Sequence, residues 1–202
     1  GFALVTALES SKSTNALSPS ELQRLLARYP PEVLNRAKPL VKQLFAQAEQ
    51  REARLAEMSS ELERGNPRAG RKVFLSGKGA CITCHKIGED GREVGPDLSR
   101  IGQIRTKGDL LESILFPSTS LARDFEPYQI ETRDGQTLFG VIQRETTDTV
   151  FLLDATAIAK PIPRSSINLI RPSPVSLMPQ GLDQTMTEEE LIDLVAYLDS
   201  ME

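Results

Sequence analysis

The 202-residue sequence predicts an α+β fold that is mainly α: a helical core interrupted by one small antiparallel β module and preceded by N-terminal helices. Three observations predict it. Up to Phe116 the apolar residues recur at helical spacing between recognisable caps. From about Asp124 to Arg171 the period shortens to that of strands, with turn residues between the runs. The last segment, TEEELIDLVAYLDS, returns to the helical period, with Leu191, Leu194, Val195 and Leu198 on one stripe. The domains expected are an N-terminal helical segment at 1–65, read as a linker from an upstream domain, a helical domain made of 66–123 and 172–202, and a β insertion at 124–171.

Each element follows from local chemistry. SPSE at 18–21 is a capping box with Pro19 at the first helical position, and it opens LQRLLARY, an amphipathic helix stopped by Pro30 and Pro31. After KPLVKQLF comes a long polar helix in which Val41, Leu44, Ala48, Leu55, Met58 and Leu62 follow a seven-residue repeat broken by Arg51. Such a helix needs a partner surface: the rest of the chain, an upstream domain or a second copy, which would make a dimer. Gly65 is expected as its C-terminal cap, and Asn66-Pro67 as the start of the next helix. PRAGRKVFLSGKGA is a short helix running into the cysteines, EDGREVGPDLSRIG is rich in turn-formers, and TKGDLLESILF is a helix capped by Thr106 and ended by Pro117. YQIET and QTLFGVIQRE flank Asp134-Gly135, a strong hairpin signal; TVFLLD and INLIR add strands, so a sheet or barrel of four or five strands is expected. PSPVSLMPQGLDQ is a proline-rich loop.

Composition excludes some functions. The content, 39% hydrophobic and 26% charged, is that of an ordinary globular protein, and a net charge of −4 with no basic run argues against nucleic acid as a partner. No apolar stretch approaches the roughly 20 residues that span a bilayer. The opening GFALVTALESS has neither a basic n-region nor a full h-region; a start at Gly1 fits a removed signal or a piece of a longer protein, and the piece is the expectation.

Both cysteines, Cys81 and Cys84, and the only histidine, His85, lie within KGACITCHKIG at 78–88. C-x-x-C alone is shared by redox pairs, half zinc sites and haem attachment; the adjacent histidine favours haem. There the two cysteine sulfurs add to the haem vinyl groups as thioethers, and the next imidazole reaches the iron. Zinc would lack a second Cys/His pair to close a tetrahedron, a thioredoxin-like pair wants a βαβ context, and a disulfide across so short a loop contributes little. These remain the alternatives. A low-spin haem needs a sixth ligand, and with one histidine in the chain methionine is the candidate. Of the four, Met58 sits on a helix seam, Met186 stands before a capping box where it can staple against Leu191, and Met201 is at the C-terminus. Met178, in SLMPQG, has no amphipathic period to explain it and is the expected ligand.

GRKVF, CITCH, GPDL, a Met-Pro loop and LVAYL, in that order, resemble a class I cytochrome c. The larger pattern across 65–200 resembles the haem-binding domain of the Pirellula/Verrucomicrobium type, often found at the C-terminal end of multidomain proteins. The resemblance implies that Pro96 of GPDL offers its carbonyl to the Nδ1–H of His85, and that Gly70 and Phe74 cross the last helix at Tyr197. It implies one haem c, with Cys81, Cys84, His85, Pro96 and Met178 as cofactor-binding residues and His85 and Met178 on the iron. A periplasmic or otherwise extracytoplasmic compartment is expected only by resemblance, from the systems in which such haem attachment occurs. The function implied is electron transfer to or from a redox partner or an upstream dehydrogenase domain, without catalysis of its own; the alternative is a five-coordinate haem sensor or peroxidase-like domain. Arg100 and Arg105 are possible propionate partners, though solvation explains each more simply. His85 and Met178 lie about 93 residues apart; subtracting about 48 for the β insertion leaves roughly 45, ordinary for one helix and two loops.

Overall fold

The computed structural model describes residues 1–11 and 18–202. The chain divides into two compact units, Gly1–Glu57 and Met58–Glu202. Among the described residues there are seven α-helices and two antiparallel sheets, the α+β class that the sequence predicts.

In the first unit, α1 (Phe2–Ser10), α2 (Pro19–Leu26) and the start of α3 (Pro31–Ser59) enclose a core of Val5, Leu22, Leu26, Val33, Ala37, Leu40 and Leu44. The α2 start is as its sequence dictates: Ser18 accepts the Glu21 N–H while the Glu21 carboxylate takes the Ser18 N–H at 3.0 Å. One difference is instructive. Helix α3 begins at Pro31 and runs through Pro39, not after KPLVKQLF. Pro39 removes one intrahelical donor, but its flanks, Val33, Ala37, Leu40 and Leu44, are all buried. Burial of that face outweighs one lost hydrogen bond.

In the second unit, a 3-10 turn at Leu62–Arg64 leads to α4 (Pro67–Leu75), capped by the Asn66 side chain with Pro67 at the first position. Gly65 is a C-terminal cap, of this 3-10 turn rather than of the long helix, its N–H donating to the Leu62 carbonyl at 3.4 Å. Its backbone is extended, φ −64°, and a Cβ there would stand 2.7 Å from that of Ala196 on the last helix, α7 (Glu188–Asp199). The residue is small because two segments touch. Gly70 does the same one turn on, where a Cβ would stand 2.8 Å from Tyr197 Cβ. Beyond this crossing the Phe74 and Tyr197 rings meet at 5.9 Å, tilted by 58°. The crossing is tied by the Asn66 N–H donating to Asp193 Oδ1 at 2.7 Å.

Between α4 and α7 the chain forms α5 (Cys81–Cys84), a two-residue hairpin of β1 (Lys86–Ile87) and β2 (Asp90–Gly91), α6 (Lys107–Leu115), and then the β module. The module comprises β3 (Pro127–Thr132), β4 (Thr137–Glu145), β5 (Thr149–Leu153), β6 (Ala159–Pro163) and β7 (Ile167–Pro172), antiparallel in the order β6-β5-β4-β3-β7. One face buries Ile130, Val150, Leu152 and Ile162, with Leu138, Ile142, Ile167 and Ile170 packed around them. Strand β6, AKPIP, carries no ordinary strand signal. It is an edge strand, paired only with β5, and Pro161 and Pro163 stand opposite Phe151 and Thr149, so the missing donors share one side. The module is entered and left at one place, since the Ser173 N–H donates to the Pro127 carbonyl at 2.7 Å.

Candidate functional site

The segment that carries the cysteines is shaped by an unusual backbone. After α4, Gly77, Gly79 and Ala80 all have positive φ, 78°, 65° and 55°. For Ala80 that conformation costs roughly 1–2 kcal/mol. The path turns the chain into α5, a single turn closed by the His85 N–H donating to the Cys81 carbonyl at 2.8 Å. Cys81 and Cys84 are three residues apart on this turn, hence on one face, and both thiols are free.

The loop that follows folds back onto the turn. The Cys84 carbonyl accepts N–H bonds from Val94 at 2.9 Å and Gly95 at 2.8 Å, and the Lys86 carbonyl accepts one from Leu98 at 2.8 Å. Gly91, φ 99°, passes so close to the His85 carbonyl that a Cβ would stand 3.1 Å from its carbon. Ser99 accepts the Gly88 N–H and is itself held by Asp97. These bonds bring Pro96 to His85: its carbonyl lies 2.8 Å from Nδ1. A carbonyl only accepts, so Nδ1 carries the proton. In the neutral ring that leaves the Nε2 lone pair free.

Electrostatics favour that neutral form. Burial holds His85 below its ordinary pKa of 6.5, only partly offset by the bond to Pro96. Among the described residues no hydrogen bond is made to Nε2, and no side-chain nitrogen or oxygen is buried without a partner. Gly95 lies against the ring; a Cβ there would be 2.6 Å from Cε1. The Cys81 thiol is pushed up by burial, the opposite of the lowered pKa that an attacking redox cysteine needs. Among the described residues no group of three or more His, Cys, Asp or Glu side chains is placed to hold a metal ion, so Cys81, Cys84 and His85 do not converge as a zinc set.

The structure thus joins Cys81, Cys84, His85 and Pro96 in one unit, and holds Met178 on another loop. Met178 is half-buried; its N–H donates to Ser176 Oγ at 3.1 Å, and the Ser176 N–H donates to Ser118 Oγ at 3.0 Å, anchoring the loop beyond α6. Arg100 is exposed and donates to Gln103 Oε1 at 2.9 Å; Arg105 is exposed. A groove of about 660 Å³, lined by Leu62, Glu63, Gln103, Ile104, Arg105 and Lys107 among others, includes none of Cys81, Cys84, His85, Pro96 and Met178. One neighbour escaped the sequence reading: Met186, whose methyl group reaches Gly79, as a capping box gives no hint that it would.

The donor set fits a covalently attached haem: two free thiols on one helical turn and a neutral imidazole with Nε2 unengaged. No helix among the described residues is long and apolar enough to cross a membrane. No protein-family model matches the chain, and no curated protein matches it.

Proposed function

We propose that this chain is an electron-transfer domain of the c-type cytochrome class, in which one haem would be tethered through Cys81 and Cys84 and its iron held by His85 and Met178. The observation that carries the reading is the hydrogen bond from His85 Nδ1 to the Pro96 carbonyl. It fixes the tautomer and the ring plane and makes Nε2 a better donor. The α4–α7 crossing at Gly70, Phe74 and Tyr197 supports a class I cytochrome c core, as does the position of the Met178 loop just ahead of α7.

The haem would supply reversible Fe(III)/Fe(II) exchange, and a thioether sixth ligand favours the ferrous state. The protein's own part is to hold His85 neutral and oriented, to supply two tethers, and to keep Met178 on an anchored loop. The partner is a redox protein or a dehydrogenase domain, met through a small, short-lived contact of less than about 1,200 Å². The compartment is periplasmic or otherwise extracytoplasmic.

Co-expression with haem-attachment machinery tests the reading. Intact mass should rise by one haem, and a pyridine haemochrome spectrum should report two thioethers; bare polypeptide mass with both thiols alkylatable overturns it. A ferric sulfur-to-iron charge-transfer band that disappears in Met178→Ala supports the sixth ligand. High-spin spectra and CO binding in the unaltered protein identify a five-coordinate sensor or peroxidase-like site instead.

A further inference from the structure

The loop before Cys81 is gripped from the start of α7. A Cβ built on Gly79 would stand 2.8 Å from Met186 Cε and 3.6 Å from Cys81 Sγ, so the methionine methyl group and the thiol flank the same point. Gly79 is buried at φ 65°, and the space a side chain would fill there is taken by Met186. Met186 is itself held in place. It directly precedes Thr187, whose side chain accepts the Glu190 N–H while the Glu190 carboxylate takes the Thr187 N–H at 2.9 Å. The same carboxylate reaches Lys78 Nζ at 2.6 Å. Lys78 and Gly79, adjacent in the loop, are thus contacted by Glu190 and Met186, one turn apart.

We infer that Met186 is a positioning residue for Cys81: its methyl group seats on the bare face of Gly79 and walls in the thiol, so that this cysteine is presented in one direction and shielded from the rest. Glycine at 79 and methionine at 186 are two halves of one contact. The Lys78–Glu190 pair is half-exposed and adds direction more than stability. The purpose of the arrangement, holding one of two tethers ready for a covalent partner, rests on the function proposed above. The contact itself does not.

The test uses the full chain expressed without haem-attachment machinery, with iodoacetamide as probe and peptide mass spectrometry to read each cysteine separately. Cys84, on the same turn, is the internal control. In Met186→Ala, labelling of Cys81 should rise several-fold relative to Cys84, and Met186→Leu should restore the original ratio. An unchanged ratio overturns the inference, and so does a parallel rise at both cysteines, which marks general loosening. If Met186→Ala does not fold, both thiols label at the rate of the urea-unfolded chain, and Met186→Val decides by the same ratio. A matured protein without haem would overturn the proposed function and leave this result standing.

Discussion

The crossing of α4 and α7 makes a quantitative demand at Gly70. In Gly70→Ala the new methyl carbon would stand 2.5 Å from the Asp193 carbonyl carbon and 2.8 Å from Tyr197 Cβ. Non-bonded carbons rest at roughly 3.5 Å, so the helices must part by about 1 Å at this point, a gap that forfeits up to about half of each pairwise attraction across it. The contacts at stake include Val73 and Phe74 on α4 and Leu194 and Tyr197 on α7, all buried. Truncating one large core side chain costs roughly 3–5 kcal/mol, so losing about half the contacts of several such residues should cost about 3 kcal/mol. With a urea m-value of about 2 kcal/mol/M, the midpoint should fall by about 1.5 M, read by far-UV circular dichroism. Gly77→Ala is the control. Its Cβ meets nothing within 4 Å, so only the strain of φ 78° remains, about 1 kcal/mol. Equal midpoints for the two variants would refute the claim that helix approach, rather than backbone conformation, dictates glycine at position 70.

In the haem-free chain, Gly95→Ala should push the imidazole off the Pro96 carbonyl; nitrogen-15 NMR should show His85 losing its pure Nδ1–H tautomer, and an unmoved ring would show that Gly95 does not set its position. Because burial depresses the pKa of His85, the unfolded chain binds the extra proton first: stability from this group is complete above about pH 6.5 and is lost as pH falls through that value towards the folded pKa. Between about pH 7.5 and about pH 5.5 the urea midpoint should therefore decline, and the decline should flatten in His85→Gln, the chain having no other histidine. Ile130→Ala, on β3 between β4 and β7 and fully buried, should cost about 4 kcal/mol, and hydrogen exchange should show β3, β4 and β5 losing protection together.

What could be read from the sequence was the chemistry that acts over a few residues. The capping boxes at Ser18, Thr106 and Thr187 and the Asn66 cap are all made, because each needs only a side chain and an N–H two or three positions away. The hairpin across Asp134-Gly135 forms for the same reason, with Gly135 at φ 87°. What escaped is set by distant partners. Gly65 is a cap, yet that it must also be small is set by Ala196 of α7, which lies against it. Gly91 and Gly95 looked like loop punctuation, yet each is small because His85 lies against it. Strand β6 was hidden by its prolines, which only an edge position permits. The approach of Pro96 to His85 was implied by resemblance to a family, and the backbone bonds from Val94, Gly95 and Leu98 supply its physical cause.

The bond between Ser173 and Pro127 has a consequence for how this chain can change. The polypeptide leaves the five strands where it entered them, so for the flanking helices the whole excursion has almost no net displacement. Hairpins within it can grow, shrink or be exchanged without altering the spacing of α6 and α7, and a short turn spliced across the neck would close at small entropic cost. A detour of this kind is a place where a lineage, or an engineer, can attach new surface while the cysteine-bearing turn keeps its frame.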